Sequence, residues 1–427
     1  MKVIVAHSGW QHSAHLAYAL QKAGMLGAYI TTVYDSPKSM PVRLLKKIPS
    51  YTFRSGIATR RFRGLRDSGV RPICTFSGIL SIVFSRMGWC RLYDLNEKQL
   101  NWRFGRKVAR LAVREHADAV VMYEGKAAHA FKLLRKYSPE TVRIIDSASA
   151  CSIFVGKKMR EEYDSVGSSQ PFFEALLSEG RDGDCVTDEM QLADKYLVAS
   201  SYVKRSFVES GLDQDKVMVC AYGGNFSIKG EAKVLPKGRP IRFVYCGRCT
   251  PQKGVHHLLE AFRGRAEQLR LVGVYDESDS YLRCWKDEPN IQFVGKVSHD
   301  EVIDHLDWAD AFIFPSLTEG LSLACAEAIC RGLPLVCTDR TGINDYVEDG
   351  LNGFVVPAGD TGALSNAVDW LSRHTERIPV MSAAALDTAK MLTWERYDHQ
   401  IQELFAAIGG NRKMQLGSRN LEEAKRD

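Results

Sequence analysis

Short apolar runs rich in Val, Ile, Phe and Tyr alternate along the chain with stretches whose apolar residues return at helical spacing. Buried parallel strands joined by crossover helices produce this pattern. In the first half, the runs that read as strands are Val3 to Ala6, Ala28 to Val33, Ala119 to Tyr123, Val142 to Ile145, Tyr196 to Ala199 and Lys216 to Val219. In the second half they are Arg242 to Cys246, Arg270 to Val274, Gln292 to Val294, Ala311 to Phe314, Leu335 to Cys337 and Phe354 to Val356. Helices fit after most of them, for example His12 to Lys22 and Gly254 to Phe262. The predicted class is α/β, built twice over.

The two halves meet at YGGNFSIKGEAKVLPKGRP, Tyr222 to Pro240, which holds no apolar period and reads as a linker. Near the end, Trp394, Tyr397, Ile401, Leu404 and Phe405 fall close to helical spacing, and the chain turns polar from Gly409. A closing helix with a frayed end is expected there. The predicted units are residues 1–225, 226–392 and a closing helix with tail over 393–427, consistent with 427 residues needing more than one core. No short-period repeat occurs, which excludes solenoids and propellers.

Composition narrows the picture only a little. With 45% hydrophobic and 25% charged residues and 34 glycines against 14 prolines, the chain is neither disordered nor fibrous. Eleven scattered cysteines form no disulfide framework and read as reduced thiols. The first apolar run, Val3 to Ala6, is too short for a signal peptide or a membrane span, so a cytoplasmic protein is expected. The net charge of +6 is modest, but ten cations lie between Lys38 and Arg71 with Asp67 the only acid among them. Leu44, Leu45, Ile48, Tyr51 and Phe53 are interleaved with those cations. Such a segment is either a solvated face or a patch for an anionic membrane surface; nucleic acid is not the expected partner.

Candidate chemistry concentrates in the second half. In FIFPSLTEGLSLACAEAI, a strand ends at Pro315 and a helix starts near Ser322, leaving Glu319 and Gly320 in the loop between. Unpaired amides at a helix start sit at the positive end of its dipole, where a phosphate or sugar hydroxyl is favoured. Glu327 follows Glu319 by eight residues, a span of roughly 10 Å along a helix. The pair has the reach to straddle a nucleotide sugar, with Glu327 on ribose hydroxyls and Glu319 on the sugar. A capping acid followed by a solvated helix face gives the same spacing. After the strand ending at Cys246, GRCTPQKG places Arg248 and Lys253 around a turn, where both can reach a diphosphate. Surface charges beside a turn read the same way.

Taken together, FVYCGRCTPQKGVHHLLEAF, IQFVGKVSHDEV, ADAFIFPSLTEGLSLACAEAICRGLPLVCTD and YVEDGLNGFVVPAGD resemble the C-terminal domain of the family-4 retaining glycosyltransferases, in that family's order and spacing. The resemblance implies a GT-B fold, with two Rossmann-like domains facing a cleft and a C-terminal helix crossing back to the first. It implies that an acceptor binds the N-terminal domain and a nucleotide-diphosphate sugar the C-terminal one, with no cofactor and no metal. Donor contacts fall on Gly9, Arg248, Lys253, Val297, Glu319, Gly320, Leu321, Ser322 and Glu327, with Arg248, Lys253 and Glu319 at the reacting bond. The loop amides at Gly320, Leu321 and Ser322 are expected at the diphosphate or sugar. The N-terminal half resembles the family less, chiefly in ADKYLVASSYV and in the glycine loop near Gly9. Where the family often has a catalytic histidine, this chain reads VVMYEGK, so Tyr123 or Glu124 takes that place on the acceptor side.

Two patterns carry less. Asp182-Gly-Asp184 has the D-x-D form of a metal site but sits in a polar loop without an adjoining apolar strand. Cys246-Gly-Arg-Cys249 has no second cysteine pair to complete a zinc site. The function implied is transfer of a sugar to an acceptor such as a lipid-linked or cell-surface polysaccharide precursor, by a cytoplasmic enzyme at the inner leaflet. The alternatives are a nucleotide-sugar epimerase of the same fold and a non-catalytic scaffold that docks through the basic segment.

Overall fold

The computed structural model describes residues 1–35, 60–178, 183–235 and 238–423. Asp182 and residues 36–59 of the basic segment lie outside them.

Seven strands form the first sheet: β1 (Val3–His7), β2 (Leu26–Thr31), β3 (Val70–Pro72), β4 (Ala119–Tyr123), β5 (Val142–Ser147), β6 (Lys195–Val198) and β7 (Val217–Val219). Their order is β3-β2-β1-β4-β5-β6-β7, and every pairing is parallel. Six strands form the second: β8 (Arg242–Cys246), β9 (Gln268–Val272), β10 (Ile291–Gly295), β11 (Ala311–Phe314), β12 (Leu335–Thr338) and β13 (Gly353–Val356). It runs β10-β9-β8-β11-β12-β13, again all parallel. In both sheets the strand order reverses beside the first strand of the unit. Chains leaving the carboxyl ends of β1 and β4, or of β8 and β11, therefore diverge and leave a crevice.

Strand interiors such as Val3 to Val5 and Phe312 to Phe314 are buried because helices cover both sheet faces. All twelve expected strands occur, nine of them displaced by a residue or two at one or both ends. The unexpected thirteenth, β3, is three residues at the sheet edge with a single buried side chain, Val70, and ends in proline. So short a run has no period to read.

The closing helix is present but longer than expected, running from Trp394 to Glu423 without a break at Gly409. Tyr397, Ile401 and Phe405 are buried in the core of the first sheet rather than the second. Trp394 stacks on His15 with ring centroids 3.5 Å apart, and Lys22 pairs with Asp398 at 2.9 Å. At the return, the Gly224 amide donates to Leu392 O at 3.1 Å, and a Cβ on Gly223 would lie 2.3 Å from the Thr393 carbonyl carbon. Among the described residues, no helix is long and apolar enough to cross a membrane.

Candidate active site

The loop after β8 is folded by its own contacts. The Tyr245 hydroxyl donates to Arg248 O at 2.8 Å, and Pro251–Lys253 forms one tight turn ending at Gly254. Gly254 has φ +66°, and a Cβ there would lie 2.0 Å from Pro315 O, so only glycine lets the loops after β8 and β11 touch. The Leu317 amide donates to Gln252 O at 3.0 Å, fastening them together. As a result the Lys253 ammonium meets the Glu319 carboxylate in a largely buried ion pair. Arg248, Lys253, Glu319 and Gly320 share one wall of a cleft of about 860 Å³.

Glu327 sits elsewhere. Its helix, Leu323–Cys330, begins at Ser322, whose hydroxyl accepts from the Cys325 amide at 3.4 Å. Glu327 lines a second cavity of about 480 Å³ with Val297, Gly247 and Gly273, and burial raises its carboxyl above the usual range although His299 is 3.3 Å away. The two glutamates thus open on separate cavities, which meet at the β8 loop where Gly247 lines one and Arg248 the other.

The expected role of the loop amides is only partly available. The Ser322 amide donates to Thr341 O at 3.2 Å and is already committed to the fold. Gly320 is enclosed: a Cβ on it would lie 1.5 Å from Ala148 O, and its own carbonyl accepts from Ser200. The backbone that approaches Gly320 is therefore the opposite domain. Leu321 is half-buried.

On the N-terminal wall, Tyr123 ends β4, Glu124 follows it, and both line the cleft. The Tyr123 ring is buried against His7 and His12, and burial raises its hydroxyl well above the ordinary value. Glu124 accepts a hydrogen bond from the Ser147 hydroxyl. Asp146, at the end of β5, is buried and held by His12 Nε2 at 3.0 Å and the Tyr222 hydroxyl at 2.9 Å. Burial, with His12 nearby, lowers His7 to about 4, so it is neutral at pH 7. Gly9 is not on the main cleft. Its amide donates to His7 Nδ1 at 2.7 Å, and it lines a neighbouring cavity of about 400 Å³ with Trp10, Arg60 and Lys126. From that first loop, His7 and Gln11 reach the main cleft instead.

Sequence patterns singled out neither Asp146 nor Lys126, which come from different strand ends; Gln11 lies in the glycine loop after β1 that was expected near the donor. Glu189 was equally hidden. Its buried carboxylate accepts from the amides of Gly125, Ala127 and Ala128 at 2.8, 2.7 and 3.3 Å, and so fixes the loop after Glu124. A lone acid in a helix of mixed polarity carries no signal of this.

Contacts cross the cleft at several points. Tyr202 and Thr318 hydroxyls are 2.9 Å apart, and the Ser201 amide donates to Asp345 at 2.8 Å. Glu162 takes His256 Nε2 at 2.9 Å and His257 Nε2 at 2.8 Å on one carboxylate oxygen. Phe172 and Phe173 pack on Tyr281 beside them. The Cys246 and Cys249 thiols are buried and form no disulfide, and burial pushes both up to about 12.

With this geometry in place, the comparison with known proteins is specific about the second half. A family model described as glycosyl transferases group 1 matches residues 240–374, which hold β8 to β13 and every charged residue of the Lys253 wall. The expected glycosyltransferase family resemblance therefore holds. An amylovoran biosynthesis glycosyltransferase of Erwinia amylovora is 31% identical over 161 residues, covering 34% of this chain and 40% of that protein. A capsular polysaccharide biosynthesis glycosyltransferase of Staphylococcus aureus is 28% identical over 210 residues, covering 44% and 52%. The chain spans about half the length of the curated relatives it matches. Among solved structures, a lipopolysaccharide outer core galactosyltransferase has a TM-score of 0.61 at 16% identity, covering 95% of this chain and 99% of that one. Sucrose-phosphate synthase from Thermosynechococcus elongatus has a TM-score of 0.60 at 16% identity, covering 96% and 100%. The fold is thus GT-B along nearly the whole chain.

Proposed function

We propose that the chain is a retaining glycosyltransferase of polysaccharide assembly, which moves a sugar from a nucleotide-diphosphate donor to an acceptor glycan. The observation that carries this reading is the Lys253–Glu319 pair beside Arg248, on the cleft wall that faces Tyr123 and Glu124. When the bond between the sugar carbon and the diphosphate oxygen breaks, negative charge builds on the departing diphosphate. Arg248 and Lys253 on the C-terminal wall stabilise it, at a site from which closure excludes most water. Glu319, freed from part of its ion pair, accepts hydroxyls of the transferred sugar. Glu327 in the second cavity accepts those of the ribose, and Val297 lines the same cavity beside the base.

Tyr123, Glu124 and the neighbouring Asp146 form the acceptor side. Relatives named for amylovoran and capsular polysaccharide biosynthesis support a polysaccharide precursor as acceptor; that it is lipid-linked on the inner leaflet is part of the proposal. A structural neighbour solved in complex with UDP, with a TM-score of 0.58, supports a nucleotide diphosphate in the cleft. The test is a thermal-shift panel of nucleotide sugars, in which the true donor at a hundred times its Kd adds about 2.7 kcal/mol of stability. A shift that survives in Lys253→Ala, or no shift from any member, rejects the reading.

A further inference from the structure

Glu162, on the helix Ser152–Val166 of the first domain, faces His256 and His257 in the first turn of the helix Val255–Phe262 of the second. Both imidazoles bring Nε2 to the same carboxylate oxygen, Oε1, at 2.9 and 2.8 Å, and their ring centroids are 4.1 Å apart. The other oxygen, Oε2, faces Gly359, where a Cβ would lie 3.0 Å from it and 3.9 Å from His257 Nε2. With φ +84° and no side chain, Gly359 leaves space beside both ligand atoms.

The charge of this cluster is not balanced. All three side chains are largely buried, and among the described residues the two histidines are the only ion-pair partners of Glu162. Burial alone would raise the Glu162 carboxyl, but hydrogen bonds from His256 and His257 outweigh it and hold it at about 2, so it stays ionised. Burial lowers His256, whose imidazole is therefore neutral at pH 7. A buried carboxylate against a neutral imidazole has a hydrogen bond but no compensating charge, and buried charges are normally paired or bound to a metal.

The donor set selects the metal. Two imidazole nitrogens and one carboxylate oxygen suit Zn²⁺, whereas Mg²⁺ and Ca²⁺ take oxygen ligands. Zinc bonds of about 2.0–2.2 Å at tetrahedral angles set ligand atoms about 3.3–3.6 Å apart. The three ligand atoms here lie within 4.8 Å of one another, so the two hydrogen-bonded contacts have to open by only about half an ångström. The His257 ring is already supported: its Nδ1 is 2.7 Å from the Thr361 hydroxyl, the kind of outer partner that turns Nε2 toward a metal. His256 is held by packing instead, with the Phe173 ring edge-on at 5.3 Å.

We propose that Glu162, His256 and His257 form a zinc site that spans the two domains. A water completes four-coordination. One ligand comes from the first domain and two from the second, so bound Zn²⁺ favours the arrangement in which the domains touch, and opening has to break the bond to Glu162. The site does not depend on the function proposed above.

The experiment takes the full chain without a histidine tag, strips it with a chelator and titrates it with Zn²⁺. One equivalent is expected to bind and to raise the melting temperature. X-ray absorption at the zinc edge should show nitrogen and oxygen ligands and no sulfur, which separates this site from the exposed Cys90 and Cys284 thiols. Glu162→Gln, which keeps a hydrogen-bonding oxygen, and His257→Ala should each weaken binding by at least about a hundredfold, and Thr361→Val by about tenfold to a hundredfold. The metal-free variants should keep the circular dichroism of the parent; where one does not, the remaining variants decide. The proposal is overturned if the stripped chain binds no Zn²⁺, if sulfur ligands are found, or if the folded variants bind Zn²⁺ as tightly as the parent.

Discussion

The Ser200 hydroxyl donates to Gly320 O at 2.7 Å, joining the N-terminal domain to the loop that carries Glu319. Gly320 is pressed so closely on the first domain that a methyl group there would lie 1.5 Å from Ala148 O. Gly320→Ala is therefore expected to hold the cleft ajar. Small-angle scattering should show a larger radius of gyration, and transfer should fall by about a hundredfold or more, because the reacting groups no longer meet. Nucleotide binding to the C-terminal wall should persist. Unchanged turnover in Gly320→Ala would reject this account of closure.

Lys253 and Glu319 neutralise each other at the wall, so their substitutions should not be additive. Lys253→Ala is expected to lower kcat by about a hundredfold to a thousandfold through loss of charge stabilisation at the leaving group. Glu319→Ala leaves Lys253 unpaired, and the double variant should be less impaired than the product of the two single effects. A double-mutant cycle on kcat/KM measures this. Strict additivity would mean that the pair does not act as a unit.

Both residues were legible in the sequence because each stands at a fixed distance from a strand that is itself legible. Val244 and Phe312 are covered on both faces, so their strands appear as unbroken apolar runs, and the loops that follow are short. The acceptor wall has no such regularity: His7, Tyr123 and Asp146 come from three strand ends more than a hundred residues apart at the extremes. Gly9 shows the opposite failure. It lies in the expected loop after β1, but its amide turns back onto His7, a choice made by a side chain and not by spacing.

Glu189 supports three amides of the loop after Glu124 from a buried position. Glu189→Ala should cost about 3 kcal/mol in chemical denaturation, since buried donors lose a charged acceptor. Because that loop holds Glu124 and Lys126 at the cleft, KM for the acceptor should rise more than KM for the donor. Equal changes in both would assign Glu189 to stability alone.

Burial, with His12 next, lowers His15 to about 4 where it stacks on Trp394. The unfolded chain binds a proton there near 6.5 and the folded chain does not, so stability is full above about pH 6.5 and is lost as pH falls toward 4. His7 contributes in the same direction. His15→Phe keeps a ring against Trp394 and removes one of the two protons. Melting temperature plotted against pH should therefore have a shallower slope between pH 4 and 6.5 in that variant. An unaltered slope would remove His15 from the linkage.

Tyr397, Ile401 and Phe405 complete the core around β1, β2 and β4. A ribosome therefore delivers the first strands of that core long before its last side chains. The second sheet, whose strands all lie between Arg242 and Val356, is complete in the chain before the first has its last covering side chains. The order of synthesis and the order of completion are therefore inverted: the first sheet's core is closed only once residue 405 has been made.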